Sequence, residues 1–132
     1  MQSIAAISLV VPDYDEAIEY YTNVLGFELR EDRLLAPGKR WVTVAPAGSQ
    51  GPHLLLARAA SEDQTSRIGN QTGGRVFLFL HTDDFQRDHR AYRSRGVVFA
   101  EAPRVEPYGM VAVFRDRYGN LWDLIEPAKH VA

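Results

Sequence analysis

The stretch LVVPDYDEAIEYYTNVLGF, residues 9–27, decides the fold because it contains the end of a strand, a helix and the signal that stops the helix. Asp13 follows an apolar run, and its carboxylate can accept hydrogen bonds from the free amides of a first helical turn. Glu16 stands three residues later, where a capping-box partner is expected. Gly26 supplies the left-handed conformation that commonly ends a helix. The apolar residues between them recur at helical spacing: Ala17, Tyr21, Val24 and Leu25.

The same pattern returns 70 residues later. In Leu80–Gly96, Asp83 or Asp84 begins a second helix and Gly96 ends it. A period of this length is too long for a solenoid and indicates two copies of one supersecondary unit. Apolar residues also coincide at this offset, including the pairs Ile7/Phe77, Leu9/Phe79, Val44/Phe114 and Leu55/Ile125.

Short runs rich in β-branched and aliphatic residues surround both helices and predict strands. These runs are Ile4–Val11, Phe27–Leu35, Arg40–Ala45, His53–Arg58, Arg75–His81, Val97–Ala100, Met110–Arg115 and Leu121–Glu126. The predicted fold class is therefore α+β, with two βαβββ modules (residues 4–58 and 74–128) joined by a polar linker (59–73) in one domain, 1–132. Two such modules can form a curved mixed sheet with helices outside and a ligand-binding cup on the concave face.

Composition excludes several classes of function. A net charge of −2 and a pI of about 6.1 argue against a nucleic-acid partner, which favours a basic surface. The absence of cysteine removes disulfides, thiolate metal sites and a cysteine nucleophile. Gly69–Gly74 lacks the lysine and the following helix of a nucleotide-binding P-loop. The apolar start is too short to span a membrane, so we expect a cytoplasmic protein with no membrane partner.

Three stretches together resemble a known family. They are Leu9–Phe27, Leu80–Gly96 and FRDRYGNLWDLIEP, which is Phe114–Pro127. The chain resembles the vicinal oxygen chelate superfamily, which includes glyoxalase I, extradiol dioxygenases and bleomycin-resistance proteins. The resemblance implies modules of the family's βαββ type, a cup that holds a small-molecule ligand, and a homodimer.

The resemblance also implies where a metal ion would bind. Metal-dependent members supply one ligand from the first strand and one from the fourth strand of each module. Here the first-strand positions are Ala6 and either Val76 or Phe77, and none of these side chains can ligate. The fourth-strand positions hold His53 and Asp123. We therefore expect no family-type metal site and no cofactor, although a partner chain could supply a third ligand to a divalent metal.

His53 and Asp123 occupy matched positions in the two modules, so the repeat predicts that they lie near one another. One interpretation is catalytic: a histidine general base held by a carboxylate. The alternative is a histidine at a loop edge and a strand aspartate bonded to the backbone.

Five further residues are candidates for ligand binding. Trp41 and Phe79 could line an apolar pocket, and the Tyr108 hydroxyl could orient a ligand. Arg75 and Arg115 could bind a carboxylate or phosphate through their guanidinium forks. For Phe79 the alternative is ordinary core, and for the arginines it is a solvated strand end.

The sequence leaves three functions open. The missing ligands favour a metal-independent small-molecule-binding protein of the bleomycin-resistance type. The alternative is a glyoxalase-like lyase or isomerase that acts through His53 and Asp123, with or without a divalent metal. A third is a subunit whose sheet serves only assembly.

Overall fold

The computed structural model describes residues 1–129 and divides the chain into two compact units, Met1–Ile68 and Gly69–Ala132. The last three residues of the predicted domain, 130–132, lie outside the described residues. None of the helices in the described part is both long and apolar enough to span a membrane.

The first unit is one mixed sheet of four strands with a helix on one face. Its strands are β1 (Ala6–Val11), β2 (Phe27–Ala36), β3 (Lys39–Pro46) and β4 (His53–Arg58), and their order in the sheet is β1-β4-β3-β2. The terminal strands of the unit, β1 and β4, pair in parallel, whereas β2/β3 and β3/β4 are antiparallel. This is the predicted module, with strands that begin or end within two residues of their predicted limits.

The first helix begins as predicted and then changes its winding. Asp13 caps helix α1 (Tyr14–Glu19) by accepting a 2.8 Å hydrogen bond from the Glu16 amide. The helix continues as a π-helical segment, Tyr20–Val24, in which the Leu25 amide donates to the Tyr20 carbonyl. Gly26 follows with a φ of +77°, the left-handed conformation expected of the stop. The buried residues of this helical stretch include Tyr14, Ala17, Tyr20 and Tyr21.

The second unit repeats the plan with one additional strand. Strands β5 (Val76–His81), β8 (Gly109–Arg115) and β9 (Leu121–Pro127) are joined by the two short strands β6 (Val98–Phe99) and β7 (Arg104–Glu106). The order in the sheet is β5-β9-β8-β6, with β7 also paired to β8, and β5 runs parallel to β9. Helix α3 (Phe85–Ser94) buries Phe85, His89 and Tyr92, whose helical spacing places them on one face.

The structure adds to or changes the sequence prediction in two places and decides between two alternatives in a third. The polar linker predicted at 59–73 contains a short helix, α2 (Glu62–Ser66), capped by the Ser61 side chain. The predicted strand Val97–Ala100 is reduced to the two residues of β6, and β7 was not predicted. Of the two possible helix caps, Asp84 is the residue whose side chain accepts from the first turn of α3.

Candidate functional site

The first sheet has one face that α1 does not cover. Side chains alternate across a strand, and the register places the buried residues Leu9, Val44 and Leu56 on one face. The β1/β4 register sets Ala6 beside His53, and the β3/β4 register sets Thr43 beside Leu55. These four residues and Trp41 therefore belong to the opposite face, which we call the open face of the first sheet.

A hydrogen-bonded cluster occupies this open face. The Glu31 Oε1 atom accepts from the Trp41 indole nitrogen at 3.1 Å and from the Thr43 hydroxyl at 3.3 Å. The same hydroxyl lies 3.3 Å from His53 Nδ1, which is 3.9 Å from Glu31 Oε1. The hydrogen bond from Trp41, aided by that from Thr43, lowers the pKa of the Glu31 carboxyl against the opposing effect of burial. Glu31 is thus a fixed negative charge at neutral pH.

The other nitrogen of His53 faces a cation. Arg30 Nη1 lies 3.5 Å from His53 Nε2, while Arg30 Nη2 donates to the carbonyl oxygens of Pro46 and Ser49. Because a guanidinium only donates, a hydrogen bond at this contact requires Nε2 to accept, and the ring proton then lies on Nδ1, facing Thr43. Both ring nitrogens of His53 therefore face side-chain partners.

The cluster forms one wall of a pocket of about 680 Å³. Ala6, Trp41, Thr43 and His53 contribute from the strands, and the remaining wall comes from residues before β1 and from the 50–52 loop. Trp41 also lines a second pocket, of about 660 Å³, near the β2–β3 turn and α2. A volume of this order suits a small organic molecule.

Asp123 has a buried carboxylate on the corresponding face of the second sheet. The register places Phe79 and Val113 on either side of it, whereas Leu124 of the next row belongs to the buried core. The residue is only 7% exposed, and its Oδ1 atom has no hydrogen-bond partner among the described residues. Burial raises the pKa of the Asp123 carboxyl; the charge of Arg104 opposes this effect. An unpartnered buried oxygen of this kind is costly and is typical of a functional position.

Tyr108 is held by a neighbouring charged cluster. Its hydroxyl accepts from Arg104 Nη1 at 3.1 Å, and the same guanidinium pairs with Glu101 at 3.0 Å and Glu106 at 2.7 Å. Tyr108 is 50% exposed and Phe79 is 64% exposed. The alternative interpretation of Phe79 as a core residue is therefore wrong.

Arg75 and Arg115, predicted separately, line the same small pocket in the second unit. Its volume is about 210 Å³, and it adjoins the glycine-rich loop that precedes β5.

The donors present do not fit the four-ligand metal site of the family. Because Asp84 is the cap of α3, the counterpart of Ala6 is Phe77, and the residue beside Asp123 in the sheet is Phe79. Alanine and phenylalanine have no donor atoms. Within residues 1–129, no group of three or more His, Cys, Asp or Glu side chains could hold a metal ion.

Sequence reasoning found part of this site and missed part. Trp41 and His53, two of the predicted site residues, line one pocket. Arg75 and Arg115 line another. Asp123 is buried on its sheet face. The predicted proximity of His53 to Asp123 stays a prediction. Glu31, Thr43 and Arg30 were missed, although the coincidence of Glu31 with Glu101 at the 70-residue offset was a usable signal.

Comparison with known proteins agrees with this architecture. The model of the Glyoxalase/Bleomycin resistance protein/Dioxygenase superfamily matches residues 3–124. An uncharacterized protein of Shewanella frigidimarina (strain NCIMB 400) is 57% identical over 126 residues, which cover 95% of this chain and 93% of that protein.

Two solved structures are similar over nearly their whole length. UcmS2 has a TM-score of 0.83 and 28% identity, covering 96% of this chain and 98% of its own. TnmS3, an antibiotic binding protein from Streptomyces sp. CB03234, has a TM-score of 0.77 and 28% identity, covering 97% and 98%.

Proposed function

Because this chain belongs to the Glyoxalase/Bleomycin resistance protein/Dioxygenase superfamily, we propose that it binds a small organic molecule in the pocket on the open face of the first sheet. The observation that carries the proposal is the pocket of about 680 Å³ whose wall combines the Trp41 ring, the His53 imidazole and the Glu31 carboxylate. A largely apolar cavity with a few fixed polar groups is the usual form of such a site.

Binding does not require the family's metal chelate in this proposal. Two of the four expected donor positions are Ala6 and Phe77, and the polar groups at the pocket hold one another through hydrogen bonds. The similarity to TnmS3, an antibiotic binding protein, supports a binding role rather than a defined reaction.

A lyase or isomerase of the glyoxalase type is the second candidate. It is favoured by Asp123, because burial raises the pKa of its carboxyl and Oδ1 lacks a partner in the described residues, both of which suit proton transfer. Against it, the two nitrogens of His53 face Thr43 and Arg30, so a base at this position would have to exchange one of these contacts for the substrate. Turnover in a glyoxalase-type assay that is lost on adding EDTA would favour the enzyme and a metal from a partner chain.

The protein is proposed to work as a cytoplasmic homodimer. Support for dimerisation comes from strand β2 at one end of the first sheet, where Leu34 is 74% exposed and Leu35 is 52% exposed. An end strand with exposed leucines is readily covered by another chain.

A thermal-shift screen of an antibiotic and metabolite library tests the binding proposal. We expect compounds that raise the melting temperature of the wild-type protein, and we expect Trp41→Ala and Glu31→Gln to weaken their binding about tenfold or more in calorimetry. Arg67→Gln, an exposed position outside this pocket, is the control. Compounds that bind Trp41→Ala and Glu31→Gln as tightly as wild type, or a screen without any hit, would contradict the proposal.

A further inference from the structure

A small pocket in the second unit brings two arginines together. The pocket has a volume of about 210 Å³, and Arg75 and Arg115 both line it. The other walls are the loop that precedes β5 and the turn between β8 and β9. Within the described residues, none of the lining side chains is acidic, although the chain as a whole carries a net charge of −2. The pocket therefore concentrates positive charge in an otherwise slightly acidic protein.

Neither of these two guanidinium groups has a carboxylate partner among the described residues, in contrast to the arginines that form short ion pairs. Arg40, Arg87 and Arg104 each form ion pairs of 3.0 Å or shorter with neighbouring acids. In the part of the chain that the structure describes, neither Arg75 nor Arg115 has a side-chain ion pair or hydrogen bond. Both forks are free to bind a ligand, and each offers several donors in one plane.

Hydrogen bonds within the protein preorganise the backbone that surrounds the pocket. The Asp116 carboxylate accepts hydrogen bonds from the backbone amides of Tyr118, Gly119 and Asn120, each at 3.0–3.1 Å, which fixes the turn before β9. Asn120 is 2% exposed, and its Oδ1 atom accepts from the Gln71 amide at 3.4 Å, which ties this turn to the loop. Preorganised walls of this kind reduce the entropy lost on binding.

Close backbone contact locks the loop against the turn. At Gly69, which has a φ of +73°, a Cβ atom would lie 1.8 Å from the Tyr118 carbonyl oxygen. Only glycine can occupy this position without moving the turn. The loop is then closed by a turn in which the Arg75 amide donates to the Thr72 carbonyl and the Thr72 hydroxyl donates to the Arg75 carbonyl. The backbone of Arg75 is thereby fixed at the pocket.

Arg115 is fixed from the other side. It is the last residue of β8, paired opposite Leu121, and Leu121 is in turn paired with Val76, the first residue of β5. The sheet therefore brings the backbones of residues 75 and 115 to the same end of three neighbouring strands.

We propose that this pocket binds a phosphate group through Arg75 and Arg115. Two guanidinium forks match the charge and the several acceptor oxygens of a phosphate dianion better than those of a monoanion. The volume fits one such group rather than a drug-sized molecule. The loop is followed by a strand and not by a helix, so recognition depends on the arginines rather than on a helix N-terminus. The site shares no lining residue with the pocket of the first unit. Phosphate binding here can therefore be tested independently of the proposed function.

Calorimetric titration of the full chain with inorganic phosphate, in low-salt buffer free of other oxyanions, tests the site. We expect saturable binding to one site, weakened about tenfold or more by Arg75→Gln or Arg115→Gln, since each change removes charged hydrogen bonds to the phosphate. Arg67→Gln, an exposed arginine outside the pocket, should bind phosphate like wild type. Arg75→Lys keeps the charge but loses the fork and should fall between wild type and Arg75→Gln.

Two further titrations, with acetate and with methyl phosphate, identify the kind of anion that the site prefers. Acetate, with a single charge, should bind more weakly than phosphate. Tighter binding of methyl phosphate than of inorganic phosphate would identify a phosphate ester as the source of the group, and the reverse would identify free phosphate; both results support the site. Titration without saturation, or equal weakening by Arg67→Gln, would overturn the proposal. Circular dichroism confirms that each variant is folded.

Discussion

Thr43 and His53 are joined by a 3.3 Å contact between Oγ1 and Nδ1 on adjacent strands. Because the same hydroxyl donates a 3.3 Å hydrogen bond to Glu31 Oε1, its remaining role toward the ring is that of acceptor for a hydrogen bond from Nδ1–H. This direction of the hydrogen-bond chain requires a proton on His53 Nδ1. The hydroxyl of the buried Thr43 thus links the Glu31 carboxylate to a ring that lines the candidate ligand pocket.

The first prediction concerns the tautomer of His53. Thr43→Val removes the hydroxyl with little change in shape, so the proton on Nδ1 loses its acceptor and the Nε2–H form should become populated. The side chain is 1% exposed, and we expect a loss of about 1–2 kcal/mol of stability as well. Nitrogen-15 NMR of the imidazole measures the tautomer. Thr43→Ser retains the hydroxyl and should keep the wild-type spectrum; identical imidazole shifts in Thr43→Val would refute the assignment.

The second prediction concerns Asp123. Asp123→Asn should raise the free energy of unfolding by about 1 kcal/mol near neutral pH, because an ionised buried oxygen without a partner is costly. The same change should weaken binding of any ligand found in the screen if Asp123 contacts it. Chemical denaturation measures the first effect and calorimetry the second.

The gain in stability should depend on pH in a defined direction. The folded-state pKa of Asp123 is raised above its ordinary 3.8, so the stability that comes from its protonated form is complete below about pH 3.8 and is lost as the pH rises through the folded-state pKa. The difference in unfolding free energy between Asp123→Asn and wild type should therefore grow as the pH rises from about 3.8 through the folded-state pKa, and it should be constant at higher pH. A difference between the two proteins that does not change with pH would contradict the raised pKa.

Asp116→Asn is the matched control, since the same chemical change should have the opposite effect. Asp116 Oδ2 accepts from both the Asn120 side-chain amide and the Trp122 indole at 3.0 Å. An asparagine has only one acceptor oxygen, so its NH₂ group must face either these side-chain donors or the backbone amides. In both orientations donor faces donor and hydrogen bonds are lost. We expect a loss of about 2–4 kcal/mol, several hydrogen bonds being affected at once.

The third prediction compares two glycines in left-handed conformations. Gly69→Ala should destabilise the second unit by about 3 kcal/mol or more, because it combines positive-φ strain with a Cβ placed 1.8 Å from the Tyr118 oxygen. Gly73→Ala meets nothing within 4 Å and should cost only about 1–2 kcal/mol, the strain alone. Urea denaturation of both variants measures the difference. Equal losses would show that the loop and turn can separate without cost.

The fourth prediction concerns metal content. The purified and dialysed protein should carry no stoichiometric divalent metal, because two of the four donor positions of the family are alanine and phenylalanine. Mass-spectrometric metal analysis tests this. A value near one equivalent of Ni, Zn, Mn or Fe per chain would contradict it and would point to a ligand donated by a partner chain.

The fifth prediction concerns oligomeric state. Light scattering should give twice the 14.9 kDa mass of the chain. Leu34→Ser combined with Leu35→Ser should shift the protein toward the monomer, because these leucines lie exposed on an end strand. Val105→Ser removes an equally exposed apolar side chain from β7 and should leave the mass unchanged. A wild-type protein that is monomeric at high micromolar concentration would refute the proposal.

Local signals in the amino-acid sequence determine most of the fold. Asp13 and Gly26 mark the first helix because capping and left-handed termination depend on a few neighbouring backbone atoms. The same reasoning locates His53–Arg58 to the residue, since an apolar run bounded by Gly51 and Pro52 is a local pattern. It cannot detect β7, whose three residues become a strand only because β8 is available to pair with them.

The tertiary structure alone decides how side chains far apart in sequence are combined. Glu31, Trp41 and His53 meet because a β-bulge and the β2/β3/β4 register align them, and no pattern within one strand contains that information. Likewise, Arg75 and Arg115 share a pocket only because β5, β8 and β9 are neighbours. The sequence by itself specifies the two modules through short-range physics, whereas the chemistry of each pocket depends on long-range strand pairing.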